Sequence, residues 1–239
     1  MMRFWIITSS ILSATPPDNE YQITKLPGAT FCSIVLKKLI KKDVIKFPKN
    51  CKLKVVLSLG GNSLFPGRLL RTGDKTHHHE PNMKRTEIEN MEDLVRLVKF
   101  IEKSLEERNI SYNLSFFPLF PRVPDKCCPS GLNYPLIESL VKIRNFELQL
   151  KSLKICQVVE LHKTLARYIK TKNLNLKSMG ILNPTNLKYT GLFNHHEPKL
   201  IFFRSFQKKI FAKDQVHMGQ MGKDILQFTL DSMCTGKSW

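Results

Sequence analysis

Lys52-Leu-Lys-Val-Val-Leu-Ser-Leu59, running into Gly60-Gly61-Asn62, decides how this chain is read. The apolar centre and the diglycine stop predict a buried strand that ends in a tight turn. A near-continuous apolar run of this kind suits a strand covered on both faces, as in a parallel sheet. Working outward, Arg3-Phe-Trp-Ile-Ile7 reads the same way and is bounded by Thr8-Ser9-Ser10. Tyr21–Leu26 predicts another strand, stopped by Pro27-Gly28-Ala29, and Ser111–Phe117 a further one, closed by Pro118 and Pro121. Helical patterns separate them. Thr30 is the expected N-cap of a helix carrying Phe31, Ile34, Val35 and Leu39, with Lys37, Lys38, Lys41 and Lys42 toward its end. Thr86 and Glu89 have capping-box spacing ahead of an apolar stripe of Ile88, Met91, Leu94, Val95, Val98, Ile101 and Leu105, ending near Asn109. Leu136–Arg144 and Val158–Ile169 read as helices, Leu174–Leu182 as a strand, 183–198 as loop, and Gln220–Met233 as the last helix. The alternation predicts an α/β fold whose mostly parallel sheet is covered on both faces.

The chain has 239 residues and is 42% hydrophobic, which suits one folded domain over 1–239, with a basic loop insertion around 63–85. No apolar run reaches about 18 residues, so no transmembrane helix is expected. The expected location is cytoplasmic. The alternative is a secreted chain in which residues 1–14 act as a signal peptide, because Arg3, an apolar run to Leu12 and Ser13-Ala14 follow that pattern. Net charge is +18, and Val141–Lys213 holds 15 Lys or Arg against three Glu. Such a balance favours polyanions such as nucleic acid or anionic lipid headgroups. The six cysteines include no Cys-x-x-Cys pair and read as reduced core residues.

In folds of this type, sites collect at the carboxyl ends of strands. Three polar turns stand there in the sequence: Ser9-Ser10, Gly28 and Asn62. A fourth, Asp214-Gln-Val-His217, precedes the final helix. An Asp and a His three apart on a turn can pair, the carboxylate holding one imidazole nitrogen while the other faces outward as a base. Ser10 is then the candidate nucleophile, His217 the base and Asp214 its orienter. The candidate oxyanion donors are the N–H groups of Ser10 and Gly28 and the side-chain amide of Asn62.

Taken in order, these blocks resemble the SGNH (GDSL-type) hydrolase superfamily. Thr8-Ser9-Ser10 matches that family's Gly-Asp-Ser, Gly28 its lone glycine, and Gly60-Gly61-Asn62-Ser63 its Gly-x-Asn-Asp. Asp214-Gln-Val-His217 matches its Asp-x-x-His, with Gly222 opening the last helix. The resemblance implies a three-layer α/β/α sandwich of about five mostly parallel strands, flavodoxin-like in plan. It implies a serine acyl-enzyme mechanism without metal or cofactor, acting on a small-molecule, lipid or carbohydrate ester. Some members are retroelement-encoded esterase-like domains, which a basic chain suits. Thr8, Ser9 and Ser63 replace the family's glycine and two aspartates, in positions expected to support turns. The alternative is a catalytically degenerate module of the same fold with a basic, nucleic-acid-associated surface.

Other motifs carry less. Adjacent His77-His78-His79 lack fixed geometry and partners at ligand spacing, so no metal site is expected. His195-His196 reads as loop. Gly236-Lys237-Ser238 cannot open a helix at the chain end, and no Gly-x-Ser-x-Gly elbow occurs. Phe202, Phe203 and Phe206 lie among Arg204, Lys208 and Lys209, a combination able to stack on and contact nucleic acid.

Overall fold

Five parallel strands carry the fold: β1 (Met2–Thr8), β2 (Tyr21–Lys25), β3 (Lys52–Ser58), β4 (Ser111–Phe116) and β5 (Gln157–Val158). Their order is β2-β1-β3-β4-β5, and every pair is parallel. This is the doubly wound, flavodoxin-like order. The computed structural model describes residues 2–9, 21–65, 86–120, 134–174 and 219–234. The chain divides into two compact units: 1–11 with 18–120 and 145–159, and 12–17 with 121–144 and 160–239.

The first unit contains the whole sheet. Register pairs Trp5 with Val55 and Val55 with Leu114, while Ile6 pairs with Val56 and Val56 with Ser115. Residues of both rows are buried, Trp5, Ile6, Val55, Val56 and Ser115 completely. That is why these strands read as continuous apolar runs rather than alternating ones. Residues 2–8 therefore form an interior strand, paired on both sides, as the strand reading of the N-terminal segment expects. Trp5 is anchored by a polar chain. Its Nε1 donates to Thr24 Oγ1 at 2.8 Å, and Thr24 donates to Asp43 Oδ2 at 2.5 Å. Lys46 Nζ lies 2.6 Å from Asp43 Oδ1.

Helix α1 is Ile34–Val44, and its N-cap is Ser33, whose hydroxyl accepts from Leu36 N at 3.2 Å. This corrects the expected Thr30 cap and the expected face. Leu36, Ile40, Asp43 and Val44 face inward, while Ile34 and Val35 are exposed. The helix begins late because the preceding residues carry Phe31 into the core, where its ring stacks on Phe146 at 5.9 Å. After β3 a single helical turn, α2 (Gly61–Leu64), occupies the start of the expected loop.

Helix α3 (Glu87–Glu106) opens with the expected capping box, Thr86 and Glu89 bonding each other's backbone N–H. Its inward row is Asn90, Leu94, Leu97, Val98, Ile101 and Leu105, and Ile88 is exposed. The helix ends where Asn109 takes a left-handed φ of 54°, and β4 begins two residues later.

Helix α4 spans Tyr134–Leu153, well beyond the expected end at Arg144. Phe146, Leu148 and Leu150 repeat every second residue, which hides the helical period. The expected helix from Val158 is also corrected. Gln157–Val158 is β5, because Val158 pairs with Phe116 and Val159 N bonds Phe116 O at 3.0 Å. Helix α5 then runs over Leu161–Thr171, behind the Glu160 N-cap.

The second unit holds 134–144 of α4, α5 and the last helix, α6 (Gln220–Cys234). Tyr168 of α5 meets Phe228 of α6 edge-on at 5.5 Å. Cys32, Cys51 and Cys156 carry free thiols, as expected, but are half-buried rather than core residues. No helix among the described residues is long and apolar enough to cross a membrane.

Candidate active site

The first three blocks meet at the carboxyl edge of the sheet. Thr8 pairs with Lys25 on one side and Ser58 on the other, so β1, β2 and β3 end level. Beyond that line the turns are laced together. Leu26 N donates to Thr8 O at 3.0 Å, Gly28 N to Ser9 O at 3.2 Å and Ser9 N to Ser58 O at 3.4 Å. Ser9 is buried. In a sheet of order 2-1-3-4-5, the direction in which successive strands are added reverses between β1 and β3, and the crevice outside their carboxyl ends is where such folds bind ligands. Ser9 and Gly60–Ser63 stand at that point.

Two glycines give the turns their shape. Gly28 has φ 78° and Gly60 φ 110°. At Gly60 a β-carbon would lie 2.8 Å from Phe31 Cζ and 3.3 Å from both δ-carbons of Leu119, so only a hydrogen fits. Thr8, where the family has glycine, is the last residue of a regular strand and is not among the residues with positive φ. A β-branched side chain meets no backbone penalty there. Ser63, which replaces an aspartate of the family, has a definite task. Its Oγ accepts from Phe31 N at 3.1 Å and ties the third block to the second. Asn90 Nδ2 of α3 donates to Ser63 O at 3.2 Å and holds the turn from behind.

Of the residues expected in the site, Gly28 is thus beside Ser9, and Asn62 is the second residue of the α2 turn. Ser10, Asp214, His217 and the side chain of Asn62 lie outside the described residues. So do Arg204, Lys208, Lys209, the His77-His78-His79 run and the His195-His196 pair. That Ser63 supports a turn was expected, but its partner Phe31 and the role of Asn90 were not legible in the sequence. Asn90 did carry a signal: it falls in the i, i+4, i+7 row of α3 that is otherwise apolar.

Among the described residues the ionisable groups with perturbed affinities are poor catalysts. Burial, reinforced by the charge of Glu102, pushes the Cys156 thiol up to about 12. A thiol so held is inert as a nucleophile near neutrality. Burial and then the Glu102 carboxylate raise Tyr112 to about 12 as well. Tyr168 is raised by burial first and then by Asp224. In the second unit, buried Glu160 is paired with Arg144 and with Lys163 at 2.8 Å, and His162 Nδ1 lies 3.6 Å away. Two cations on one carboxylate leave it a poor ligand for a metal ion.

No family model matches the chain, and no curated protein matches it. Among solved structures it is similar to a member of the lipolytic G-D-S-L family from Veillonella parvula, at 10% identity over 100% of both chains and a TM-score of 0.49. It is also similar to protein YxiM of Bacillus subtilis, at 12% identity over 99% of this chain and 57% of that one, with a TM-score of 0.47. The class is defined by the strand order itself: an α/β protein with a flavodoxin-like parallel sheet. This is the architecture that the SGNH resemblance implied.

Proposed function

We propose that the chain is a serine ester hydrolase of SGNH type. The observation that supports this reading is the hydrogen-bonded convergence of Ser9, Gly28 and Gly60–Ser63 at the switch point of the sheet. In this reading Ser10 Oγ attacks the ester carbonyl while His217 takes its proton and Asp214 steadies the imidazolium. The tetrahedral oxyanion rests on Ser10 N–H, Gly28 N–H and Asn62, each such donor being worth about 100- to 1,000-fold in rate. Gly28 N–H already bonds the Ser9 carbonyl at 3.2 Å, so it serves the oxyanion by sharing that long bond. Collapse of the intermediate expels the alcohol with the proton from His217. Water, deprotonated by His217, then attacks the acyl-serine. The carboxylic acid leaves, and Ser10 regains its proton.

The test is labelling with a fluorophosphonate probe. The parent should label, Ser10→Ala should not, and His217→Ala should label far more slowly. A folded parent that does not label overturns the reading. The net charge of +18 then favours the catalytically degenerate, nucleic-acid-associated module. That reading predicts salt-dependent nucleic-acid affinity weakened by Lys208→Glu with Lys209→Glu.

A further inference from the structure

The outer face of α1 carries chemistry that the candidate site does not use. From Lys37 to Lys52 the chain has seven lysines and one acid, Asp43. That acid is buried, and its carboxylate is engaged by Thr24 and Lys46. Leu36, Ile40 and Val44 turn inward, which puts Lys38, Lys41 and Lys42 on the outer side. Lysines on a solvated helix face are ordinary. Their company here is not: Ile34 is 64% exposed, Ile45 65% and Val35 46%. Residues 34, 38, 41 and 45 fall in one stripe at helical spacing, so an exposed isoleucine stands at each end of a lysine row.

We propose that this face docks on an anionic lipid bilayer. Clusters of four to eight lysines on a helix surface are attracted by acidic headgroups, each lysine adding roughly five-fold in affinity. Aliphatic side chains beside them can enter the headgroup boundary, and the lysine stems can lie along it with their charges outward. Nucleic acid fits the face less well. Single-strand binding uses exposed aromatic platforms, and α1 carries no aromatic side chain. The one arginine at its end, among the described residues, is Arg108, whose guanidinium is engaged by the carbonyls of Ile45 at 3.2 Å and Phe47 at 2.8 Å. Among the described residues, the ring of Phe100 lies beneath Lys41 Nζ at 5.7 Å. The inference does not depend on ester hydrolysis.

The test uses the full chain with vesicles of phosphatidylcholine alone or mixed with phosphatidylserine, measured by sedimentation. The parent should bind the mixed vesicles and not the neutral ones. Lys38→Gln with Lys42→Gln should weaken binding roughly thirty-fold. Ile34→Ser with Ile45→Ser should weaken it several-fold at unchanged charge, and thermal melts should confirm that both variants fold. Binding to mixed vesicles no tighter than to neutral ones overturns the proposal, as does full affinity in the lysine variant. If the isoleucine variant binds like the parent while single-stranded RNA competes in a lysine-dependent way, the face reads nucleic acid instead.

Discussion

Replacing Gly60 by alanine should break the carboxyl edge of the sheet, whereas the same change at the neighbouring Gly61 should not. Gly60 has φ 110° and ψ −18°, a region that costs an L-residue on the order of 1–3 kcal/mol. The added β-carbon would also stand 2.8 Å from Phe31 Cζ, where apolar carbons prefer about 3.5–4.0 Å. Phe31 has little room to retreat, being 1% exposed and stacked on Phe146. Leu119 closes the other side at 3.3 Å. Overpacking of this kind costs about 1–3 kcal/mol, so the two effects together reach about 2–6 kcal/mol. For a chain of this size that lowers Tm by roughly 5–20 °C. Gly61 is helical and has no positive φ, so Gly61→Ala should stay within about 1 kcal/mol of the parent. Urea unfolding followed by Trp5 fluorescence, in a Trp239→Phe background, reads the sheet directly because Trp5 is fully buried. A Gly60→Ala protein within about 0.5 kcal/mol of its parent would refute the argument. An equal loss at Gly61 would refute the assignment of the left-handed turn to Gly60.

Four further outcomes follow from the same structure. Ser63→Ala removes the acceptor of a buried N–H at Phe31 and should cost about 1–3 kcal/mol in urea unfolding. If the ester-hydrolase reading holds, kcat should fall more than KM rises, because Ser63 shapes the turn bearing Asn62. Thr24→Val leaves the Trp5 indole N–H without its partner and should likewise cost about 1–3 kcal/mol; an unchanged urea midpoint would mean that water replaces the hydroxyl. Cys156 and Tyr112 are both held protonated in the folded state, to about 12, against ordinary values of 9.0 and 10.0. Their contribution is fully present below pH 9 and is lost as the unfolded groups ionise, so stability should decline between pH 9 and about 12. Alkylation mapped by mass spectrometry at mildly alkaline pH should find Cys156 slower than Cys32 and Cys51, and rapid modification there would contradict its burial.

The strands that read clearly did so because they are buried on both faces: β1 and β3 owe their unbroken apolar runs to that. The capping box at Thr86 and Glu89 was legible because it is a local contact, complete within four residues. The order of the blocks at Ser9, Gly28 and Gly60 was legible for a related reason, since a tight turn after a strand leaves glycine and small polar residues in the sequence itself. Local spacing misled where a long-range contact decided the outcome. Phe31 entered the core through its stack on Phe146, which moved the start of α1 from Thr30 to Ser33 and turned Ile34 and Val35 outward. Pairing with Phe116 made a strand of Gln157–Val158, where periodicity alone predicted helix. The partners of Ser63 were hidden for the same reason, because Phe31 and Asn90 lie 32 and 27 residues away. The sequence by itself determined strands β1 to β4 and which turns are tight, because those depend on neighbours in the chain, whereas β5 did not follow from it. The strand order, the inward face of α1 and the bonds that lace the three turns together were decided by the tertiary structure, because each rests on residues brought together only by folding.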